Sequence, residues 1–562
     1  MSKRHLESGN PLPPAKRLHA PGVHRRLHVC FDSLYDELIL CIFSHLSFAD
    51  LCVAQAINKN CQRLATDIEL WRNLYLKTFG RSRLRGYKGP VGVTRADGRE
   101  VLPLPARVSP KQDHFKDWKW MFRISSNWRK GRFVHFNINF RSIHPSSKGR
   151  CAIDELAAPA QGPSFTRESD PFRTHVLLAG NLTITASSRI TNTPTIHIFD
   201  RRLINHSLAC ESHFRGRMIT ALAIDQAPAS QNELRLATFL STGEFFVFSV
   251  YPDKLAASSQ ILSYRPRRAE DMNVVEAVYH HPLLVTLSPD FKLSIYDLSG
   301  NTAKRTQTLS SFTSFPPTSI VLSTPTLDTY KLVIAYAIPV YPAHWSVGAT
   351  ELMISRLSSY SMASSLVPSP SLIDPFTVVS ARTTRALDVP QGWIDENKLG
   401  IMREQWSRKL SQVADTQTDG KWIVLAPGDD MAMPTSASGS SEDEVDSVGT
   451  WQPTSSTPLQ LYRLYLPSSN SVAGSPPKMT FVRTLDGQTG PISSVSLSDG
   501  RCVSLGVDGR LWVWDLEAGT GSEVSAGSRR ESGVGEKSVV VFDEKQIVTT
   551  SAGRIVIRRF DV

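Results

Sequence analysis

Two groups of arginines are the side chains of this chain best suited to holding a charged group. Arg215 and Arg217 precede the apolar run Ile219 to Ile224, and Arg265, Arg267 and Arg268 precede Val274 to Tyr279. A guanidinium keeps its charge and presents a planar fork of donors, so such clusters act locally whatever the charge of their surroundings. Arrangements for covalent chemistry are not visible: there is no glycine-rich phosphate loop, no GxSxG elbow and no HExxH. His280-His281 is followed by Pro282 at a strand edge, where a satisfied or exposed pair is expected rather than two ligands. The seven cysteines are scattered, with no CxxC pair and no Cys/His cluster at zinc spacing. They read as small hydrophobes, Cys41 and Cys52 among them as buried ones. No cofactor, no metal and no catalytic role are expected.

The elements that must position these side chains follow from composition and pattern. With 562 residues, 41% hydrophobic and 20% charged, the chain is globular in composition and too long for one ordinary core. No stretch approaches the roughly 18 apolar residues of a membrane helix, and the first residues are basic and polar without an apolar signal core, so an intracellular protein with no membrane partner is expected. Charge is unevenly placed. Residues 1 to 30 net +5, residues 31 to 80 net −2, residues 81 to 150 net +13, and residues 151 to 562 net −5. The acidic balance of the long C-terminal part argues against a nucleic-acid surface there.

Residues 1 to 28 carry Pro11, Pro13, Pro14 and Pro21 among basic and polar residues and lack apolar periodicity, so a disordered basic tail is expected. Within it Lys3-Arg4 and Lys16-Arg17, separated by eleven residues, have the form of a two-part nuclear import signal. From 29 to 79 the pattern is helical. Leu34, Leu38, Ile42, Phe43 and Leu46 are placed on one helix face, Ser47 or Asp50 can cap the next helix, and a further turn carries Leu70, Trp71, Leu74 and Tyr75. So small a unit cannot bury all these side chains within itself, and a partner surface is implied.

The run Phe31 to Leu46, followed by Asp50-Leu51, Ile57-Asn58-Lys59, Leu64-Ala65 and Leu70-Trp71-Arg72, resembles the F-box motif along its length. Two residues depart from it: Tyr35 stands where proline is usual, and Cys61 where tryptophan is common. The resemblance implies docking onto a Skp-type adaptor and through it a cullin, with Leu34, Glu37, Leu38, Ile42, Phe43, Leu46 and Leu51 at the matching interface positions. Residues 80 to 131 read as a linker, helical toward its end, and Asn127-Trp128-Arg129-Lys130-Gly131 resembles the passage that joins F-box and propeller in the F-box/WD-repeat receptors. Trp128 is expected to pack this linker onto the propeller.

Residues 132 to 562 read as short strands bounded by turn residues, enough for an all-β propeller of about six to eight blades, with a long inserted loop region at 357 to 458. The run from Leu485-Asp486-Gly487 to Trp514-Asp515 resembles a WD repeat in which Gln488 replaces the usual histidine. Weaker copies end at Phe199-Asp200, Phe248-Ser249, Tyr296-Asp297 and Phe560-Asp561. The strand Phe133 to Phe140 is expected to pair with Ile555 to Arg558 and latch the ring. Ser440 to Ser447 reads as an acidic loop with two serines placed as acidophilic-kinase sites.

The fold expected is therefore multidomain: a small all-α F-box and helical linker, then a WD-type propeller. By resemblance the chain is a substrate-recognition subunit of an SCF-type ubiquitin ligase, non-catalytic and nuclear or cytoplasmic. Related receptors read phosphorylated peptides with propeller arginines, which gives Arg215, Arg217, Arg265, Arg267 and Arg268 a substrate-binding role. The alternative is an F-box/propeller scaffold acting outside ubiquitination. Replacing Lys16 and Arg17 with Ala is expected to shift a fluorescent fusion from nucleus to cytoplasm, and an unchanged distribution would reduce the tail to a solvated terminus.

Overall fold

The computed structural model describes residues 31, 34–79, 118–139, 172–200, most of 202–356, then 375–387, 392–428, 458–466, 476–525, 536–551 and 554–561. The chain divides into two compact units, Met1–Thr78 and Phe79–Val562.

The first unit is helical: α1 (Asp36–Phe43), α2 (Phe48–Ala54), α3 (Lys59–Ala65) and α4 (Ile68–Phe79). Polar caps decide where these short helices begin. Ser47 Oγ accepts from Asp50 N at 3.3 Å, Asn58 Oδ1 from Cys61 N at 2.7 Å, and Asp67 Oδ1 from Glu69 N at 2.9 Å, each satisfying a donor that a helix start leaves open. Ile39, Phe43, Leu51, Ala54, Cys61, Leu64, Ala65, Leu70, Trp71 and Tyr75 are buried, and Trp71 Nε1 donates to the Ala65 carbonyl at 2.8 Å. Cys61 is a core residue, whereas Cys41 and Cys52 are exposed, contrary to the sequence reading. On α1 and α2 each of these two projects away from the face that carries Ile39, Phe43, Leu51 and Ala54.

The second unit is a propeller of seven blades, each built on a four-stranded antiparallel sheet. From the axis outward, blade 1 runs from Phe172–Ala179 to Asn205–Ala209, blade 2 from Ile219–Ile224 to Ser259–Tyr264, and blade 3 from Glu276–His280 to Lys304–Ser310. Blade 4 runs from Phe315–Thr326 to Phe376–Arg385, blade 5 from Val413–Thr418 to Lys478–Leu485, and blade 6 from Ile492–Ser498 to Thr520–Ser525. Blade 7 combines Val539–Phe542, Gln546–Ser551 and Arg554–Arg559 with the early strand Val134–Asn139, which pairs antiparallel with Arg554–Arg559 in the register Phe136 to Ile557. The latch expected from sequence is present. The strands Phe376–Arg385, Val413–Thr418 and Trp422–Pro427 and the helix Glu396–Ser407 all fall within 357–458. That region is thus not one long loop but the outer strand of blade 4 and the first two strands of blade 5. Ser440 to Ser447 lies outside the described residues.

Packing within blades is apolar. In blade 6, Trp514 Nε1 donates to Ser504 Oγ at 2.9 Å, and Ser504 Oγ donates in turn to Gln488 Oε1, so the glutamine keeps a polar chain where the motif has histidine. Gly487, at φ +138°, leaves no room for a side chain, since a Cβ there would lie 2.9 Å from the Trp512 ring. The helix α5 (Trp118–Lys130) covers blades 6 and 7: Trp128 stacks on Phe560 at 4.3 Å and its Nε1 donates to the Glu544 carbonyl at 3.0 Å. Trp128 thus has the packing role expected of it.

Between neighbouring blades the facing sheets share apolar clusters, Val285 and Ile295 of blade 3 with Leu332 and Ile354 of blade 4 among them, and polar links join the innermost strands and their turns. His175 Nε2 is 3.1 Å from the Ile219 carbonyl, and His281 N donates to Asp225 Oδ1 at 2.8 Å. Ile320 N donates to Glu276 Oε1 at 3.1 Å, Thr418 N to Ser319 Oγ at 3.1 Å, Val495 N to Asp415 Oδ2 at 2.8 Å, and Val540 N to Ser494 Oγ at 3.5 Å. The parallel pairing of Phe172 and Arg173 with Glu536 and Lys537 joins blade 7 to blade 1.

Burial pushes the Glu276 carboxyl up to about 7 from its ordinary 4.5, against the hydrogen bonds from Thr318 and Ile320 and the charge of Arg173, with Asp415 adding to the rise. Burial, with the nearby charge of Arg173, holds His175 down to about 3. The two oppose each other. A raised carboxyl stabilises the fold at low pH and loses that contribution as pH rises through its folded value; a depressed imidazole loses its contribution as pH falls below 6.5. Glu276→Gln keeps an acceptor for Ile320 N and cannot ionise. In urea unfolding across pH, the midpoint of the unaltered protein is expected to fall relative to this variant between pH 4.5 and about 7 and to hold a constant gap above; parallel profiles would show that Glu276 does not titrate in this window.

Candidate functional site

The helical unit has a complete core that leaves part of its apolar surface outside. On α1, Tyr35 at the N-cap, Leu38 and Ile42 follow the i, i+3, i+7 spacing of one helical face and are 79%, 52% and 44% exposed. Val53 and Ile57, at the end of α2 and in the turn after it, are also exposed. The charged edge of α1 is held by Asp36, which accepts from Arg63 on α3 at 2.6 Å. Of the interface residues expected from sequence, Glu37, Leu38 and Ile42 face solvent, while Leu34 and Leu46 are half-buried. Phe43 and Leu51 are 3% and 1% exposed and belong to the core. They therefore shape the surface from beneath, and the single apolar face expected for α1 is in fact two, one turned inward and one outward. Sequence reasoning missed Tyr35, Val53 and Ile57; counting back from Leu38 by three would have found Tyr35.

In the propeller, antiparallel order sends the turn between second and third strands, and the passage to the next blade, out of one face of the ring, here called the upper face. Arg217 and Arg265 lie in such passages, before blades 2 and 3. Arg215, Arg267 and Arg268 lie outside the described residues. Arg217 is not a surface group: its side chain is 1% exposed, and Nη1 donates to Glu244 Oε2 at 2.7 Å, an acceptor shared with Thr242 Oγ1 and Ser212 Oγ. Arg265 is exposed and lies 3.5 Å from the other Glu244 oxygen. The pattern before each blade was read alike for both arginines, but the turn carrying Glu244 takes one of them inside. Among the described residues no cluster of His, Cys, Asp and Glu could hold a metal ion, and no helix is long and apolar enough to cross a membrane.

Comparison with known proteins agrees with this architecture. The F-box-like family model matches residues 31–77, and that of the F-box protein pof12 beta-propeller matches residues 199–388. No curated protein matches the chain. Among solved structures, the Cps50 (Swd1) beta-propeller domain of Myceliophteria thermophila is 11% identical, covering 70% of this chain and 97% of its own, with a TM-score of 0.36. A chain of the mitotic checkpoint complex is 10% identical, covering 73% and 99%, with a TM-score of 0.35. Neither likeness is close enough to bear on function. The chain joins an F-box-like domain to a seven-bladed propeller, an arrangement that suggests an F-box substrate receptor and is typical of non-catalytic receptor proteins.

Glu244→Gln leaves the buried Arg217 charge without its counter-ion, which is expected to destabilise the propeller by about 3–5 kcal/mol in chemical unfolding. The paired change Arg217→Met with Glu244→Leu removes both charges and is expected to recover most of that loss.

Proposed function

We propose that this F-box/propeller protein is the substrate-recognition subunit of an SCF-type ubiquitin ligase, its helical unit binding a Skp-type adaptor and its propeller binding the protein to be modified. One observation carries the reading: the outward face of Tyr35, Leu38 and Ile42 on a helical unit whose core is already filled without them. Exposed aliphatic and aromatic side chains grouped on one helix are costly in water and mark a surface meant for a partner. The chain would add no chemistry of its own. Holding a substrate lysine near a charged conjugating enzyme replaces a bimolecular encounter by a local one at high effective concentration. The basic pairs Lys3-Arg4 and Lys16-Arg17 support a nuclear site of action.

Leu38→Ala with Ile42→Ala is expected to abolish co-purification of the adaptor and, with it, of the cullin. Both side chains point outward, so helical content and the melting of the propeller should be unchanged. Adaptor retained by this double variant would overturn the F-box reading, and adaptor bound without cullin would place the chain outside ubiquitination.

A further inference from the structure

The passage from blade 4 to blade 5 leaves one strand and returns to the same strand. Ala386, the residue after the outer strand Phe376–Arg385, donates its N–H to the Val347 carbonyl at 2.9 Å, and Leu410 exchanges both backbone bonds with Trp345, at 2.6 and 2.9 Å. Val347 and Trp345 lie two residues apart on His344–Arg356, so the chain departs from the edge of that strand at 386 and rejoins it at 410. Both ends are held further. Leu387 is buried at the departure. At the return Gln460 Nε2 donates to the Arg408 carbonyl at 2.8 Å, the Arg408 guanidinium lies 4.4 Å over the Phe481 ring, and Gly428 N donates to the Gln412 carbonyl at 2.9 Å.

The helix carried between these ends has no such support. α6 (Glu396–Ser407) has no buried residue: Ile401 is 58% exposed, and Leu399, Met402 and Trp406 are half-buried. By contrast α5, one residue longer, buries Trp118, Met121, Phe122, Ile124 and Trp128. Local signals for α6 are weak as well. Asp395 stands at the N-cap but its side chain makes no capping bond, and Gly400 sits inside the helix, where glycine is among the least favourable residues. The Glu404–Arg408 pair, 3.1 Å apart, is exposed on its Glu404 side, and exposed pairs of this kind add little. A helix of twelve residues without a packed face is marginal in water, because most helical stability in proteins comes from the buried side.

We infer that α6 is a flap that unfolds and refolds on a propeller that stays closed, a two-state segment set into the upper face between fixed ends. Opening breaks the helix's own backbone bonds and leaves the neck at Val347, Trp345 and Leu410 bonded, so no core is exposed and the ring does not feel the change. Any ligand that meets helix and coil with unequal affinity shifts the balance between them. This part of the upper face is therefore adjustable, whereas the blades on either side of it are fixed by their sheets.

Hydrogen–deuterium exchange of the full-length chain, read by mass spectrometry, tests this. The amides of residues 400–407 are expected to exchange within about tenfold of the rate of an unstructured chain, while those of residues 345–349 and 423–426 are slowed by about a thousandfold or more. Two variants move the balance in opposite directions. Gly400→Ala fits without adjustment, since a Cβ there meets nothing within 4 Å, and it favours the helix, so it should slow exchange of the flap by about fourfold and leave the sheets unchanged. Gly400→Pro should remove the remaining protection of the flap and leave both the protection of the neck and the melting temperature of the propeller as they were. Flap amides as protected as those of residues 423–426, or exchange that Gly400→Ala does not slow, would overturn the inference. So would a neck that loses protection, or a propeller that melts earlier, in the Gly400→Pro variant, since α6 would then be part of the ring's stability and not a segment that opens alone.

Discussion

Closure of the ring is the constraint to which the rest of the propeller answers. A four-stranded sheet has two open edges and one buried face too many, and seven of them become a stable body only when each inner strand is fastened to the next. Apolar clusters shared by neighbouring blades fill the space between the sheets, and near the axis the fastening is polar and local: a side chain on one inner strand or its turn meets a backbone group of the neighbouring blade, through His175, Asp225, Glu276, Ser319, Asp415 and Ser494 in turn. These groups differ in kind and share only position. That explains how the blades can lose a common repeat while the ring survives, because any polar side chain at the right height can meet the neighbour's N–H or C=O. It also explains why Glu276 and His175 are shifted with opposite signs, since a carboxylate and an imidazole placed in the same sheltered collar respond to burial in opposite directions.

What the sequence revealed and what it hid follow the same physics. The blade ends Phe199-Asp200, Phe248-Ser249, Tyr296-Asp297, Trp514-Asp515 and Phe560-Asp561 are legible because each closes a third strand, which is sandwiched between neighbours and must be apolar. The fourth strands are nearly silent. Lys304–Ser310 is Lys-Arg-Thr-Gln-Thr-Leu-Ser, an edge that faces water and needs no hydrophobic pattern, and it passed unread. Trp422–Pro427 is apolar throughout, but it stands between polar stretches that made its whole neighbourhood look like a loop. The latch Val134–Asn139 was legible because an isolated early strand has nowhere else to pair.

In the helical unit, periodicity placed the right residues on α1 without saying which side was inside. Leu38 and Ile42 are one apolar stripe, Ile39 and Phe43 another, and a helix this rich in large side chains reads equally well from both. The core is settled by α3 and by Trp71, whose contacts lie far along the chain and leave no local mark. Arg217 and Arg265 teach the same lesson for charge. Two arginines in equivalent passages were indistinguishable until the turn bearing Glu244 drew one of them out of solvent.

Blade 7 takes one strand from residues 134–139 and three from the end of the described chain. During synthesis the helical unit leaves the ribosome early, and Ile39, Phe43, Leu51, Leu64 and Trp71 of its core all come from one short stretch of chain. Val134–Asn139 by contrast waits for its partner until Arg554–Arg559 has been made. The order of translation thus sets the order of competence: a growing chain presents the outward face of α1 well before it owns a closed propeller. Anything that recognises that face meets unfinished chains as readily as finished ones, and the interval between the two is the time taken to translate the propeller.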